Sequence, residues 1–236
     1  NDMDCDGLTS DHDCDDEDTQ TLSKTLDNDC DGFYDVDVLS MFSHNAAYIG
    51  QDGLIVDWGA GYSSSAPAHV NIRLSTGDGF ICGLRVDGAV QCWGADDEGQ
   101  SSPPAGIFKD VALGSMHGCA IDELDMVQCW GNAEDGRASP PLGNTFIELA
   151  LGSEHSCGID ANGELHCWGS SAFGQDSPPE GNYLDIDSGG QHSCAIDLNG
   201  VPVCWGADWS GQVSDTPSGS FVQVSAGAYH SCSINS

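Results

Sequence analysis

Basic residues are scarce in this sequence. Its 236 residues include 5 Lys and Arg against 38 Asp and Glu, which gives a formal net charge of −33. Proteins neutralise nucleic-acid phosphates with Lys and Arg, and anionic membrane surfaces attract the same residues, so both are excluded as partners. A charge of this size repels itself, and we therefore expect a fold that binds cations or is covalently cross-linked.

Long apolar runs and helical patterns are also missing. No run of 18 apolar residues occurs, so no segment is predicted to span a membrane. Apolar residues do not recur with the period of a helix, and the sequence therefore predicts no helices. We also find no nucleotide-binding loop, no Ser/His/Asp order and no isolated carboxylate pair, and we predict that the chain is not an enzyme.

Cysteine, in contrast, is abundant. The 12 cysteines are regularly spaced, which indicates disulfides and an oxidising compartment. The sequence begins at Asn1 rather than Met, so we expect a processed form from which any signal peptide has been removed. We predict an extracellular or cell-surface location.

The first 37 residues form an acidic segment that predicts calcium binding. They hold 14 acidic residues and one basic residue, Lys24. The pattern D-x-D-x-D-G, which opens a calcium loop, occurs at residues 2–7 and 27–32; alternate carboxylates and the backbone carbonyl of the seventh residue bind one ion. The predicted ligands are Asp2, Asp4, Asp6 and the Leu8 carbonyl with Asp11 or Asp13 in the first loop, and Asp27, Asp29, Asp31 and the Phe33 carbonyl with Asp35 or Asp37 in the second. Residues around Asp11, Asp13 and Asp15 could form a third, overlapping site.

The sequence around these loops is not helical, so they are not EF-hands. The segment resembles thrombospondin type 3 repeats and, more closely, the Asp/Cys-rich metal-binding motif of bacterial surface proteins, through residues 13–18 and 27–32. The resemblance implies a bacterial surface protein. The Pro-Gly and Cys-Asp-Gly that usually separate the two halves are missing, so the cysteine pairing of that motif is not carried over.

Residues 38–236 contain an internal repeat with a period near 37 residues. Trp-Gly recurs at intervals of 35, 37, 38 and 37 residues, beginning at Trp58, Trp93, Trp130, Trp168 and Trp205. Gly-x-x-His-x-Cys recurs at residues 114–119, 152–157, 189–194 and 227–232, and residues 77–82 are a fifth copy with Phe80 in place of His. This period, with three or four short strands in each copy, is typical of a propeller blade.

The repeat resembles the short bacterial form of the regulator-of-chromosome-condensation (RCC1) repeat. The resemblance covers about residues 41–236 and depends on stretches such as FVQVSAGAYHSCSI at 221–234 and HSCAIDLNGVPVCWGADWSGQ at 192–212. It implies an all-β protein, a propeller of about five short disulfide-stapled blades preceded by the irregular calcium-binding segment. A chromatin role is not implied, because an acidic, disulfide-rich chain is a poor partner for nucleosomes. A bacterial relative of this class, the β-lactamase inhibitory propeller, implies that the scaffold can serve as a protein binder.

The repeated cysteines predict one disulfide within each hairpin. Cys194 and Cys204 lie ten residues apart around an Asn199-Gly200 turn, and a three-residue loop that ends in this Gly places them opposite each other. The other pairs with this spacing are Cys82–Cys92, Cys119–Cys129 and Cys157–Cys167. We interpret His117, His155, His192 and His230 as structural residues that hydrogen-bond between neighbouring blades, rather than as zinc ligands.

Four cysteines remain outside the hairpin pairs: Cys5, Cys14, Cys30 and Cys232. Every way of pairing these four joins Cys232 to the acidic segment, within one chain or between chains. The last repeat ends in the middle of its hairpin, and the sequence allows two arrangements. Residues 52–59 complete this last blade, or residues 42–59 form a hairpin of their own, with Ala47 and Asp57 in the cysteine positions, and leave residues 221–236 with an exposed strand edge.

Two functions fit these features. The first is a calcium-stabilised structural or adhesive propeller that assembles head to tail with itself through its terminal half-blade, by strand addition or a disulfide. The alternative is a monomeric, inhibitor-like propeller that binds an extracellular protein or glycan with loops that differ between repeats. In those loops Phe173 and Trp209 are the predicted contact residues.

Overall fold

The computed structural model describes residues 39–42, 45–50, 55–59 and 71–235. The predicted calcium ligands, the domain boundary at residues 37 and 38, and Cys5, Cys14 and Cys30 lie outside these residues. No helix in the described ranges has the length and apolar composition needed to cross a membrane.

The described residues form short β-strands separated by turns and loops. The strands are β1 Leu39–Phe42, β2 Asn45–Ile49, β3 Ile55–Gly59, β4 Asn71–Thr76, β5 Phe80–Arg85, β6 Val90–Gly94, β7 Phe108–Leu113, β8 His117–Asp122, β9 Val127–Gly131, β10 Phe146–Leu151, β11 His155–Asp160, β12 Leu165–Gly169, β13 Tyr183–Ser188, β14 His192–Asp197, β15 Pro202–Gly206, β16 Phe221–Ala226 and β17 Ser231–Asn235. One short 3-10 turn, Glu134–Gly136, is the only helical element in this part of the chain. The all-β fold class is confirmed.

The strands form six separate antiparallel sheets, each made of consecutive strands. Five sheets have three strands, and the sixth, β16–β17, has two. Sheets two to five carry the predicted disulfides, with Cα atoms 4.0–4.1 Å apart. In the chain-entropy model each of these small loops stabilises the fold by roughly 2–3 kcal/mol. The first strands β1, β4, β7, β10, β13 and β16 pack side by side in chain order.

The first sheet decides between the two arrangements that the sequence allows. Strand β2 pairs with β3, so that Asn45 lies opposite Gly59 and Ala47 lies opposite Asp57. Strands β1, β2 and β3 therefore make a sheet of their own, as in the second arrangement. Residues 55–59 do not complete the last blade, and the outer edge of β17 pairs with no strand of the described residues.

The hairpin turns have the predicted form. In the fifth sheet the Gly200 amide donates to the Asp197 carbonyl at 2.9 Å, and the Asp197 amide donates to the Val201 carbonyl at 3.0 Å. Gly200 has φ = 80°, a left-handed conformation that is easiest for glycine. The third sheet has Asp125 in this position, with φ = 64°; Asp tolerates this conformation better than most residues.

The hydrophobic core lies between neighbouring sheets and is divided into clusters. One cluster joins Phe80 and Leu84 of the second sheet to Phe108, Val111 and Trp130 of the third. Equivalent clusters join each of the other successive pairs of sheets. Sheets two to five therefore each use one face against the preceding sheet and the other face against the next one.

Candidate functional site

The buried histidines lie between sheets, as the sequence predicts. The Nε2 atoms of His117, His155 and His192 each lie 2.8 Å from the hydroxyl oxygen of a serine in the next sheet. These serines are Ser156, Ser193 and Ser231. Burial lowers the pKa of His117 and of His155 to about 3, and it also lowers the pKa of His192. The three histidines act in packing, whereas His230 is exposed.

A cavity of 500 Å³ lies between the first strands of sheets two to six. Each of these strands has a register shift after its first residue, and the residue that follows the shift is Arg73, Asp110, Glu148, Asp185 or Gln223. A bulge redirects the side chain beside it, and of these residues Arg73, Asp110 and Glu148 line the cavity, with Asp185 close to Glu148. The sequence pattern alone does not reveal this cluster of four charged residues, although a polar residue stands third in each of these strands.

The charges in this cluster are only partly compensated. Arg73 forms an ion pair with Asp110. Burial, together with the nearby Asp185 and Asp110 carboxylates, raises the pKa of Glu148 to about 8. Burial also raises the pKa of Asp185, although its carboxylate accepts a hydrogen bond from the Val224 amide at 2.6 Å. The cluster therefore holds Glu148 in its protonated form at neutral pH.

Polar side chains of the first strands also connect the sheets. Asp187 accepts a hydrogen bond from the Ala226 amide of the next sheet at 2.8 Å, and Ser75 accepts one from the Leu113 amide at 3.0 Å. These amides lie on strand edges that no other strand of the described residues covers. The side chains thus satisfy backbone groups that a sheet edge otherwise leaves open.

The loops that follow the third strands form one set, which we call the rim loops: residues 95–102, 132–139, 170–177 and 207–214. In three of them a buried glutamine side chain accepts a hydrogen bond at 2.8 Å from the amide two residues earlier. These glutamines are Gln100, Gln175 and Gln212; Arg137 takes the equivalent position in the other loop.

The two predicted contact residues come together on these rim loops. Phe173 and Trp209 lie on successive loops, and their ring centroids are 4.7 Å apart in an edge-to-face arrangement at 81°. Phe173 is 41% exposed and Trp209 is 59% exposed. The first two rim loops carry exposed acidic residues at the same positions: Asp97, Glu98, Glu134 and Asp135.

One group of possible metal ligands occurs in the described residues. Oxygen and nitrogen atoms of Asp160, Glu164 and His166 lie within 4.8 Å of one another. The Asp160 carboxylate accepts hydrogen bonds from the Asn162 and Glu164 amides at 2.8 and 2.9 Å. Asp197 makes the same pair of bonds in the next hairpin. The position of Asp160 is therefore explained by the turn.

Two stretches of the chain match the model of a known repeat. Residues 72–100 and 146–175 match the model of the regulator of chromosome condensation (RCC1) repeat. A search of curated proteins finds no match.

Solved structures share the fold. The CRINKLY WD40 ectodomain of the receptor kinase ACR4 from Arabidopsis thaliana is 25% identical, with a TM-score of 0.71 over 83% of this chain and 74% of that chain. The ectodomain of the receptor kinase CR4 from Physcomitrella patens is 25% identical, with a TM-score of 0.70 over 84% of this chain and 58% of that chain. Prp20p from Saccharomyces cerevisiae, a protein studied for binding Gsp1p and histones, is 16% identical, with a TM-score of 0.72 over 90% and 71%. The protein has the fold of an RCC1-like repeat β-propeller.

Proposed function

We propose that this RCC1-like propeller is an extracellular, non-enzymatic binding module that attaches to a partner protein through its rim loops. The observation that carries the proposal is the exposed contact between Phe173 and Trp209. Large aromatic side chains that are exposed on a soluble protein and clustered together are typical of the centre of a protein interface.

The loops that carry these rings are held in place by hydrogen bonds from their own backbone amides to buried glutamine side chains. The Gln175 side chain accepts from the Phe173 amide, and the Gln212 side chain accepts from the Ser210 amide, each at 2.8 Å. Gln175 is fully buried. A loop that is already ordered loses little conformational entropy when it binds, so this arrangement favours affinity.

The charge of the chain restricts the partner. The rim loops carry exposed acidic residues, such as Asp97 and Glu98 on the first loop and Asp208 next to Trp209, and the whole chain has a net charge of −33. Complementary charge speeds association and excludes partners of like charge. We therefore expect a partner surface with an apolar pocket flanked by Lys and Arg.

The extracellular location and calcium binding are parts of the same proposal. Four disulfides are typical of an oxidising compartment, and two of the structural neighbours are receptor ectodomains. We propose that the loops at residues 2–7 and 27–32 bind calcium and offset part of the acidic charge.

The binding role predicts that removing the aromatic pair abolishes partner capture. The full chain is immobilised and exposed to the extracellular fraction of its source, and the double variant Phe173→Ala/Trp209→Ala is compared with Leu142→Ala. Leu142 is 97% exposed and lies outside the rim loops, so its variant controls for loss of exposed apolar surface. Cross-linking with mass spectrometry identifies the captured protein and the loop that it contacts.

We expect wild type and Leu142→Ala to capture the same protein, with cross-links to residues 170–177 and 207–214. The double variant is expected to lose that capture while keeping the same thermal unfolding midpoint. Equal capture by the double variant contradicts the proposal. Capture that survives protein digestion of the partner and is lost after glycosidase treatment indicates a glycan ligand instead.

The second candidate function is structural assembly through the terminal sheet. It is supported by the outer edge of β17, which no strand of the described residues covers, and by the exposure of His230 and Ile234, whereas the equivalent His192 and Ile196 are buried. However, the first sheet of a second copy would not reproduce all the contacts that neighbouring sheets make within the chain. Ala46 stands opposite a Trp-Gly tryptophan, as Ser193 does, and it offers no hydroxyl to His230. Sedimentation velocity of the full chain tests this candidate: assembly requires species larger than the monomer, and a monomer at every concentration contradicts it.

A further inference from the structure

The hairpin formed by β11 and β12 departs from the other stapled hairpins at two positions beside its turn. The four stapled hairpins align through their cysteine pairs, and Glu164 and His166 lie between the turn and Cys167. The residues equivalent to Glu164 are Ala89, Met126 and Val201, and those equivalent to His166 are Gln91, Gln128 and Val203. A carboxylate and an imidazole therefore occur together in only one of these four hairpins.

A third departure from the repeat lies beside the same histidine. Asn144 stands two residues before Phe146, the first residue of β10. The third, fifth and sixth sheets have glycine at this position: Gly106, Gly181 and Gly219. The side-chain amide nitrogen of Asn144 lies 3.1 Å from Nδ1 of His166. Residues that differ from the repeat in two separate stretches of the chain therefore meet at one imidazole.

The turn presents one oxygen of Asp160 to the other ring nitrogen of this histidine. Oδ1 of Asp160 accepts hydrogen bonds from the Asn162 and Glu164 amides, which fixes the direction of the carboxylate. Oδ2 lies 3.2 Å from Nε2 of His166. Two ligand atoms bound to the same tetrahedral zinc ion lie about 3.4 Å apart, given metal–ligand distances of about 2.1 Å. Asp160 and His166 are thus already close to the separation that zinc requires.

Glu164 completes a group of three possible ligands. One of its carboxylate oxygens lies within 4.8 Å of the ligand atoms of Asp160 and His166. Its side chain is exposed, so it can rotate closer without displacing a packed neighbour. Glu164 also lines an open cleft of 450 Å³ together with Pro179 and Glu180. An ion can therefore reach the three residues from the solvent.

The surroundings of His166 fix its ring in the orientation that a ligand needs. Phe146 contacts the imidazole edge to face, with ring centroids 5.8 Å apart at 90°. When Nε2 of a histidine binds a metal, Nδ1–H usually donates to an oxygen outside the ligand set, and this second contact strengthens binding. The Asn144 amide supplies such an oxygen after a half-turn of its amide group.

We propose that Asp160, Glu164 and His166 bind one zinc ion, through Oδ2 of Asp160, one carboxylate oxygen of Glu164 and Nε2 of His166, with water at the fourth position. The neutral imidazole then carries its proton on Nδ1 and donates it in a hydrogen bond to Asn144. A nitrogen ligand and a low ligand number favour zinc over calcium, which takes six to eight oxygens.

The zinc site is separate from the rim loops. Strand β12 begins at Leu165, beside the turn, and ends at Gly169, where the third rim loop follows. The zinc site and the rim loop therefore lie at opposite ends of the same sheet. The inference does not depend on what the rim loops bind.

Imidazole NMR of the full chain, labelled with ¹⁵N-histidine, tests the site directly. Zinc chloride is added at pH 7.4 in the presence of excess calcium chloride, so that calcium occupies the loops predicted at residues 2–7 and 27–32. The signals of His166 are identified by their loss in His166→Gln. We expect zinc to shift these signals in a saturable way, with Nε2 as the bound nitrogen and the proton on Nδ1.

Zinc affinity is measured by competition with a fluorescent chelator. Removing a ligand in His166→Gln or Glu164→Gln is expected to weaken binding at this site by at least about tenfold, and Asn144→Gly by about tenfold. His166→Gln and Asn144→Gly introduce residues that other sheets have at these positions. The control Glu123→Gln removes one carboxylate from the exposed turn of the third sheet and should leave the affinity unchanged.

The proposal is overturned if zinc does not shift the His166 signals, or if His166→Gln binds zinc as tightly and with the same stoichiometry as the wild type. Zinc that shifts only the signals of other histidines also overturns it. If a variant lowers the thermal unfolding midpoint without zinc, the spectrum of the wild-type chain still decides the question. The calcium proposal is unaffected by any of these results, since calcium is present throughout.

Discussion

At the scale of single residues, histidine and serine occur as matched pairs across sheets. Ser156 donates to the Arg137 carbonyl at 2.9 Å, so its oxygen is free to accept from the Nε2–H of His117. The second sheet has Phe80 instead of histidine, and the sheet that follows it has Gly118 instead of serine. The hydroxyl is thus present where the preceding ring is a hydrogen-bond donor, and absent where the ring is apolar.

These histidines make the protein sensitive to acid. The Nδ1 atoms of His117, His155 and His192 are buried and have no hydrogen-bond partner within the described residues, and a charged imidazole needs an acceptor for each of its two N–H groups. In the unfolded chain each of these imidazoles takes up a proton near pH 6.5, whereas in the folded chain the pKa of His117 and of His155 is about 3. Lowering the pH from 6.5 towards 3 therefore favours the unfolded state, by on the order of 3 kcal/mol for each of these two histidines at pH 4.

We predict that copying the Phe80 and Gly118 pair into the fourth and fifth sheets removes part of this acid sensitivity. The variant His155→Phe/Ser193→Gly should lose less free energy of unfolding between pH 7 and pH 4 than the wild type, as measured by urea denaturation at each pH. His166→Gln serves as the control, because the second and third sheets have Gln91 and Gln128 at that position. If the double variant loses as much free energy of unfolding between pH 7 and pH 4 as the wild type does, the buried imidazole is not the source of the acid sensitivity.

At the scale of strands, the register shifts near the start of the first strands determine the electrostatics of the 500 Å³ cavity between these strands, which we call the central cavity. Glu148 follows such a shift and lies close to Asp185 and Asp110. In the unfolded chain its pKa is near 4.5, and in the folded chain it is about 8. The folded state therefore holds a proton that the unfolded state releases. Raising the pH from 4.5 towards 8 lowers the free energy of unfolding, by about 3 kcal/mol at pH 7.

Glu148→Gln should flatten this dependence, because the amide keeps a polar acceptor in the cavity and cannot ionise. We expect the variant to be more stable than the wild type at pH 8 and to differ less from it at pH 5, as measured by thermal unfolding. Glu123→Gln removes one acidic group at an exposed turn and is the matched control. If the variant has the same pH dependence as the wild type, the Glu148 carboxyl of the wild type lies in an environment that solvates its charge.

The sequence predicts the hairpins well because their signals are local. Cys194, Cys204 and the Asn199-Gly200 turn lie within eleven residues, and their spacing alone gives the register that the structure confirms. The central cavity could not be found in this way. Arg73, Asp110 and Glu148 lie in three different repeats, and only the side-by-side packing of the first strands brings them together.

The ends of the repeat were ambiguous for a different physical reason. Residues 55–59 have the pattern of a third strand, and both β2 and β17 are second strands that such a strand could join. Hydrophobic pattern and turn spacing are the same for the two partners. The structure selects β2, which is closer in the chain and forms the shorter loop.

At the scale of the whole molecule, the charge of −33 opposes folding. Repulsion between exposed charges is screened over about 10 Å at 0.1 M salt, so we expect the unfolding temperature to rise with added sodium chloride. Calcium bound at the loops at residues 2–7 and 27–32 would act in addition to this screening, because an ion held by several carboxylates offsets their charge and stabilises the folded state by mass action.

Comparing the two salts at equal ionic strength separates the two effects. We predict a higher unfolding temperature in calcium chloride than in sodium chloride, with the difference reversed by chelation. Asp29→Asn should reduce the calcium-specific increment, because Asp29 is a predicted ligand at the second loop. Asp97→Asn removes the same charge from an exposed rim-loop position and should leave the increment unchanged. If the two salts give the same curve at equal ionic strength, general screening accounts for the whole stabilisation, and the acidic segment contributes charge without a specific calcium site.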